Sequence, residues 1–155
     1  MPETTCGFND IPGGASGAEL LIFRGPTLFV NIGFDSSWKI DAARGVPPIP
    51  GITEIKALVD TGATECCIDD LLAVRLNLPI IDNRPVSGSA GQHMANMYLA
   101  QIYIPSLNYT VYGAFAGVHL TTGGQIHEAL MGRTFLQSFT MTYEGKTGTV
   151  KLVST

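Results

Sequence analysis

Residues 27–34 alternate, with Leu28, Val30 and Ile32 on one side and Thr27, Phe29 and Asn31 on the other. A period of two over that length predicts a half-buried strand. Residues 55–60 predict a second strand that runs into a turn at Thr61-Gly62. Between them, residues 35–53 carry Pro47, Pro48 and Pro50 and predict a long loop, with Trp38 and the prolines forming a stiff or docking segment. Asp69 or Asp70 is placed to cap a short helix through Leu71, Leu72, Val74 and Leu76, ended by Pro79. Residues 82–97 are polar and aperiodic, and are expected to be flexible, with Ser87, Gly88, Ser89, Ala90 and Gly91 at their centre. Residues 98–104 and 109–120 predict strands, and 132–139 a second short helix. Residues 140–143 and 149–153 flank a turn and predict a terminal hairpin. Leu20 to Phe23 form a short apolar run stopped by Gly25-Pro26. Residues 1–18 are Gly- and Pro-rich with little periodicity, so a flexible N-terminal arm is expected, leaving 19–155 as one mostly β domain with one or two short helices.

Composition narrows the class. At 155 residues with 45% hydrophobic, the chain fits one domain with a sizeable core and excludes a repeat array or a two-lobed enzyme in one polypeptide. Only 14% of residues are charged, against roughly 25% in an average soluble domain, which points to surface covered by a partner. A net charge of -4 offers no basic footprint for nucleic acid. Cys66 and Cys67 are neighbours, a spacing that disfavours a disulfide between them, and with Cys6 they read as reduced thiols. Neither they nor His93, His119 and His127 have metal-ligand spacing, so no metal and no cofactor is expected. Gly145-Lys146-Thr147 lacks the upstream glycine of a phosphate-binding loop, position 140 being Thr. The first twenty residues show neither a basic nor an apolar signal region, and no apolar run is long enough to span a bilayer. The expectation is a soluble, cytoplasmic protein with no membrane partner.

Chemistry concentrates at Ala57-Leu58-Val59-Asp60-Thr61-Gly62-Ala63-Thr64. An apolar strand delivers a carboxylate at its end and the chain turns at once. Thr61 adds a hydroxyl on a stiff, branched side chain. Gly62, with no Cβ, allows a sharp turn and close approach by a ligand. An isolated Asp-Thr-Gly is usually a turn, but the branched residues before this one and Ala63-Thr64 after it suit a carboxylate held at the floor of a cleft.

These residues resemble the active-site segment of the retropepsin-like aspartic proteases, single-domain relatives of pepsin. Ala129-Leu130-Met131-Gly132-Arg133 resembles the family's apolar-apolar-Gly-Arg motif, about seventy residues downstream of Asp60. Ser87, Gly88, Ser89, Ala90 and Gly91 lie where the family places its flap hairpin. The resemblance spans roughly residues 26–153 and implies a closed β-barrel with an active site on a homodimer axis. Many viral members carry Asp directly after the alanine, where this chain has Thr64, so the partner of Arg133 stays open, with Glu65 one candidate.

The resemblance implies a reaction in which two carboxylates share a proton around a water. This chain contains one Asp-Thr-Gly, whereas Asp69, Asp70 and Asp82 read as caps or solvated turns. A two-fold axis would supply the second carboxylate from Asp60 of another copy, with Thr61 bonding across the axis and residues 149–153 contributing to a dimer sheet. The implied activity is endopeptidase cleavage of extended, apolar-rich segments in pockets lined by Leu58, Val86, Met94 and Ile126. The alternative is a non-catalytic dimeric peptide-binding module on the same fold.

Overall fold

The alternation at residues 27–34 is realised as strand β2 (Thr27–Gly33): Leu28, Val30 and Ile32 are buried and Phe29 is exposed. The computed structural model describes residues 1–37, 47, 49–88 and 91–155. Trp38, Pro48, Ser89 and Ala90 lie outside the described residues, as does most of the expected 35–53 loop. β2 pairs antiparallel with β3 (Ile52–Val59) through Val30↔Ile55, then shifts register and pairs with β6 (Gly91–Ile104) from Asn31↔Tyr103 to Gly33↔Gln101. That double pairing closes a six-stranded barrel in the order β2, β3, β8 (Ala129–Met131), β4 (Cys67–Asp69), β7 (Tyr109–Val118) and β6. Val30, Ile32, Ala57, Ile68, Ala100, Ile102, Ala129 and Met131 belong to its core and are fully shielded from solvent. Strands hold 48% of the described residues and helices 17%, so the fold is mostly β as expected. Among the described residues, no helix is long and apolar enough to cross a membrane.

Three differences from the sequence expectations have physical causes. The first eighteen residues are not a loose arm. β1 (Glu3–Thr5) pairs antiparallel with β10 (Thr149–Ser154), Cys6 N–H donates to Val150 O at 2.9 Å, and Cys6 is buried. A strand of three residues is too short to show a period. Helix α1 (Gly17–Arg24) follows, started by a capping box in which Ser16 Oγ accepts from Glu19 N–H at 3.1 Å and Glu19 reaches back to Ser16. The Ser-x-x-Glu signature is in the sequence, but one face of α1 stays exposed and its apolar residues do not read as helical.

The second difference lies at residues 82–97. They are not irregular: β5 (Ile80–Gly88) and β6 form a long hairpin, paired through Val86↔His93 to Gly88↔Gly91. β5 is exposed along its length except at Val86, so no apolar alternation marks it.

The third concerns the ends. β9 (Phe139–Glu144) and β10 form the expected hairpin, but β10 sits between β1 and β9 in a three-stranded sheet. Both edges of β10 are taken within the chain, so residues 149–153 have no edge to give to a dimer sheet. The other helices are α2 (Asp70–Arg75) and α3 (Arg133–Leu136), with one-turn 3-10 segments at Pro105–Leu107 and Thr121–Gly123. Asp69 precedes α2 but does not cap it. Buried, it accepts from Leu120 N–H and Thr121 N–H at 3.1 Å each and from the Thr121 hydroxyl at 2.7 Å, pinning the loop after β7.

Candidate active site

The two motifs singled out in the sequence become neighbouring strands. β3 runs parallel to β8, with Ala57↔Ala129, Leu58↔Leu130 and Val59↔Met131, and Asp60 N–H donates to Met131 O at 3.0 Å. Asp60 therefore leaves the barrel at the point where Gly132-Arg133 begins α3. Its carboxylate is half-buried, and Oδ1 accepts from Gly62 N–H at 2.8 Å. A Cβ on Gly62 would stand 3.0 Å from that oxygen, so a side chain there would crowd the carboxylate.

Arg133 braces the loop. Its guanidinium donates from Nη1 to Thr61 O at 2.7 Å and from Nη2 to Thr64 Oγ1 at 3.0 Å. The backbone repeats the link, with Arg133 N–H donating to Ala63 O at 2.9 Å and Thr134 N–H to Thr64 O at 3.0 Å. The partner left open by the sequence is thus Thr64 with the Thr61 carbonyl, not Glu65. A Cβ on Gly132 would meet Glu65 O at 2.5 Å and Ala63 O at 2.8 Å, so this close crossing of two backbones requires glycine.

Asp60 opens onto a cavity of about 610 Å³ lined by Pro26, Val59, Asp60, Thr61, Met141 and Tyr143. Leu58, Val86, Met94 and Ile126, expected as pocket lining, do not line it; Met94 and Ile126 are exposed elsewhere. Met141 and Tyr143 come from β9, and the sequence did not reveal them. Their alternation with Thr140 and Thr142 predicted a strand, but not which surface the strand would meet.

The hairpin reaches the same region through a small apolar cluster. Ala95, Met97 and Ala116 pack with Cys67, Val86, Ala114 and Val118. The Cys67 thiol is pushed up to about 12 by burial, then by Cys66 and by the charges of Glu65 and Asp60, which places it within electrostatic reach of Asp60. Burial likewise raises the Cys66 thiol and pushes Cys6 up to about 12. All three are protonated at neutral pH, which argues against a cysteine nucleophile. Of the expected flap residues, Ser87, Gly88 and Gly91 lie exposed at the hairpin end, while Ser89 and Ala90 lie outside the described residues. Among the described residues, no group of three or more His, Cys, Asp or Glu side chains is arranged to hold a metal ion.

Comparison of the sequence with protein-family models and with curated proteins finds no match.

Proposed function

We propose that this chain is an aspartic endopeptidase of the retropepsin type, active as a homodimer whose two Asp60 carboxylates form the catalytic pair. The observation that carries this proposal is the junction of β3 with β8: Asp60 is anchored to Met131 O, and its loop is clamped by Arg133 through Thr61 and Thr64. A carboxylate held this rigidly, half-exposed at an open cavity, suits a catalytic group better than a turn cap.

One carboxylate is insufficient for the chemistry, and the surroundings suit a second copy. Ile22 and Phe23 on the last turn of α1 are 76% and 83% exposed just before Pro26, and Tyr143 is 53% exposed on the cavity wall. Large apolar side chains exposed on α1 and on the cavity wall favour burial against a partner. Among the described residues, the edge of β9 away from β10 carries no strand and is available for pairing.

In the dimer, two carboxyls about 3 Å apart cannot both ionise, so they share one proton. The ionised one takes a proton from the water as it attacks the scissile carbonyl carbon. The protonated one donates a hydrogen bond and then its proton to the carbonyl oxygen. The tetrahedral intermediate collapses with transfer of a proton to the leaving amine. An extended substrate between the Asp60 floor and the two hairpins would gain affinity from main-chain hydrogen bonds and selectivity from alternating pockets.

The test is cleavage of a mixed peptide library by wild type and Asp60→Asn in parallel. Wild type should cut within apolar-rich extended segments, with more activity in mildly acidic solution. Asp60→Asn should lose cleavage by at least about a thousandfold while keeping its circular dichroism spectrum and dimer mass. Cleavage by the variant would refute the proposal. Peptide binding without cleavage by wild type would establish the non-catalytic module instead.

A further inference from the structure

His93 on β6, His119 just past β7 and Asp70 in the first turn of α2 come together beside the β5–β6 hairpin, where His93 lies across from Val86. His119 Nδ1 lies 2.8 Å from Asp70 Oδ2. The His93 ring lies over that of His119, with centroids 5.8 Å apart and planes 18° from parallel. The other carboxylate oxygen, Asp70 Oδ1, is buried and has no hydrogen-bond partner among the described residues. His119 and Asp70 stand on a fixed seat, because the neighbouring Asp69 ties α2 to Leu120 and Thr121 through three hydrogen bonds. His93 stands on a hairpin that is exposed on both strands from Gly91 to Met94 and along most of β5.

We propose that His93, His119 and Asp70 form a proton-operated clasp, which holds the β5–β6 hairpin to the loop after β7 at neutral pH and releases it in mild acid. With both rings neutral, His119 donates Nδ1–H to Asp70 and presents its face to His93. One added proton is accommodated, since an imidazolium beside Asp70 is an ion pair. A second proton sets two nearly parallel cations face to face with a single carboxylate between them, and their repulsion opens the stack. Histidine changes charge in the range where this matters.

Among the described residues, the charges on the packed elements are otherwise engaged, apart from Glu65 just before β4, whose charge reaches Arg84 and Cys67. Asp69 is buried and fully engaged. On β5, Asp82 and Arg84 are paired with each other at 2.7 Å. Arg75, at the far end of α2, pairs with Glu128 at 3.5 Å. Tyr98 of β6 packs beside Gly117, as does Asp70. The clasp is a property of the fold and does not depend on the protease proposal, so its test avoids cleavage altogether.

The experiment is amide hydrogen exchange of residues 82–96 read by mass spectrometry at about pH 7.5 and about pH 5.5, corrected for intrinsic exchange. In wild type, protection of this segment should fall about fivefold or more on acidification, while residues 98–104 of the same strand stay protected. His93→Gln, which removes the second cation at an exposed position, should abolish the fall. Asp70→Asn should make release begin at higher pH, because the first cation loses its counter-charge. A flat wild-type profile, an unchanged fall in His93→Gln, or an equal fall at residues 98–104 would each overturn the proposal.

Discussion

His127 shows how a single side chain can make this fold sensitive to acid. It is buried, and its Nε2 lies 2.8 Å from Thr27 Oγ1, which itself donates to Gly25 O at 3.0 Å. The Thr27 proton being committed, Nε2–H of His127 must be the donor, and Nδ1 is left buried without a partner among the described residues. Burial, followed by the charge of Lys56, holds this imidazole below its ordinary value of 6.5. The unfolded chain therefore takes up a proton that the folded chain refuses. The stability due to neutral His127 is complete above pH 6.5 and is lost as pH falls through that value toward the lower folded one. Urea unfolding midpoints across this window should fall with pH in wild type, and His127→Gln should flatten the slope, by at most about 1.4 kcal/mol per pH unit. At this scale the sequence disclosed much of the site. Asp60, Thr61 and Gly62 were legible because each residue type answers a local geometric demand, whereas the 129–133 motif was legible only through its resemblance to a known family's segment. Thr64 as the partner of Arg133 was not, because only the folded loop turns its hydroxyl back toward α3.

Elements were legible where one face is buried and obscure where neither or only a short one is. β2, β6 beyond Tyr98, and β7 announce themselves because the barrel interior imposes alternation or a continuous apolar run on them. β5 projects into solvent and α1 buries only Gly17 and Leu21, so neither carries a pattern that tertiary structure would enforce. β1 is the sharpest case, since its place in the sheet is fixed by residues almost 150 positions away. Its removal should be costly despite its length. Deleting residues 2–5 takes away the Glu3↔Val153 to Thr5↔Lys151 pairs and bares one edge of β10. A drop in melting temperature of roughly 5 °C or more is expected by calorimetry, the equivalent of about 1–2 kcal/mol. An unchanged melting temperature would return residues 1–5 to the status of a dispensable arm.

For the whole molecule, the proposed shared site makes activity a property of pairs of chains. Mixing wild type with an equal amount of Asp60→Asn, then allowing subunits to exchange, should place half of the wild-type chains in mixed dimers with one carboxylate. Activity should settle near half of what the same wild-type chains give alone. A chain with a self-sufficient site would show no loss. The three-stranded sheet has a different consequence, one of timing. β10 cannot be seated between β1 and β9 until residues 149–154 have been made, so β1 must wait for nearly the whole chain. At about 5–20 residues per second, a ribosome takes on the order of 10–30 s to cover that distance. During that time the edge destined for β10 is open, and a chaperone or any neighbouring strand can reach it first.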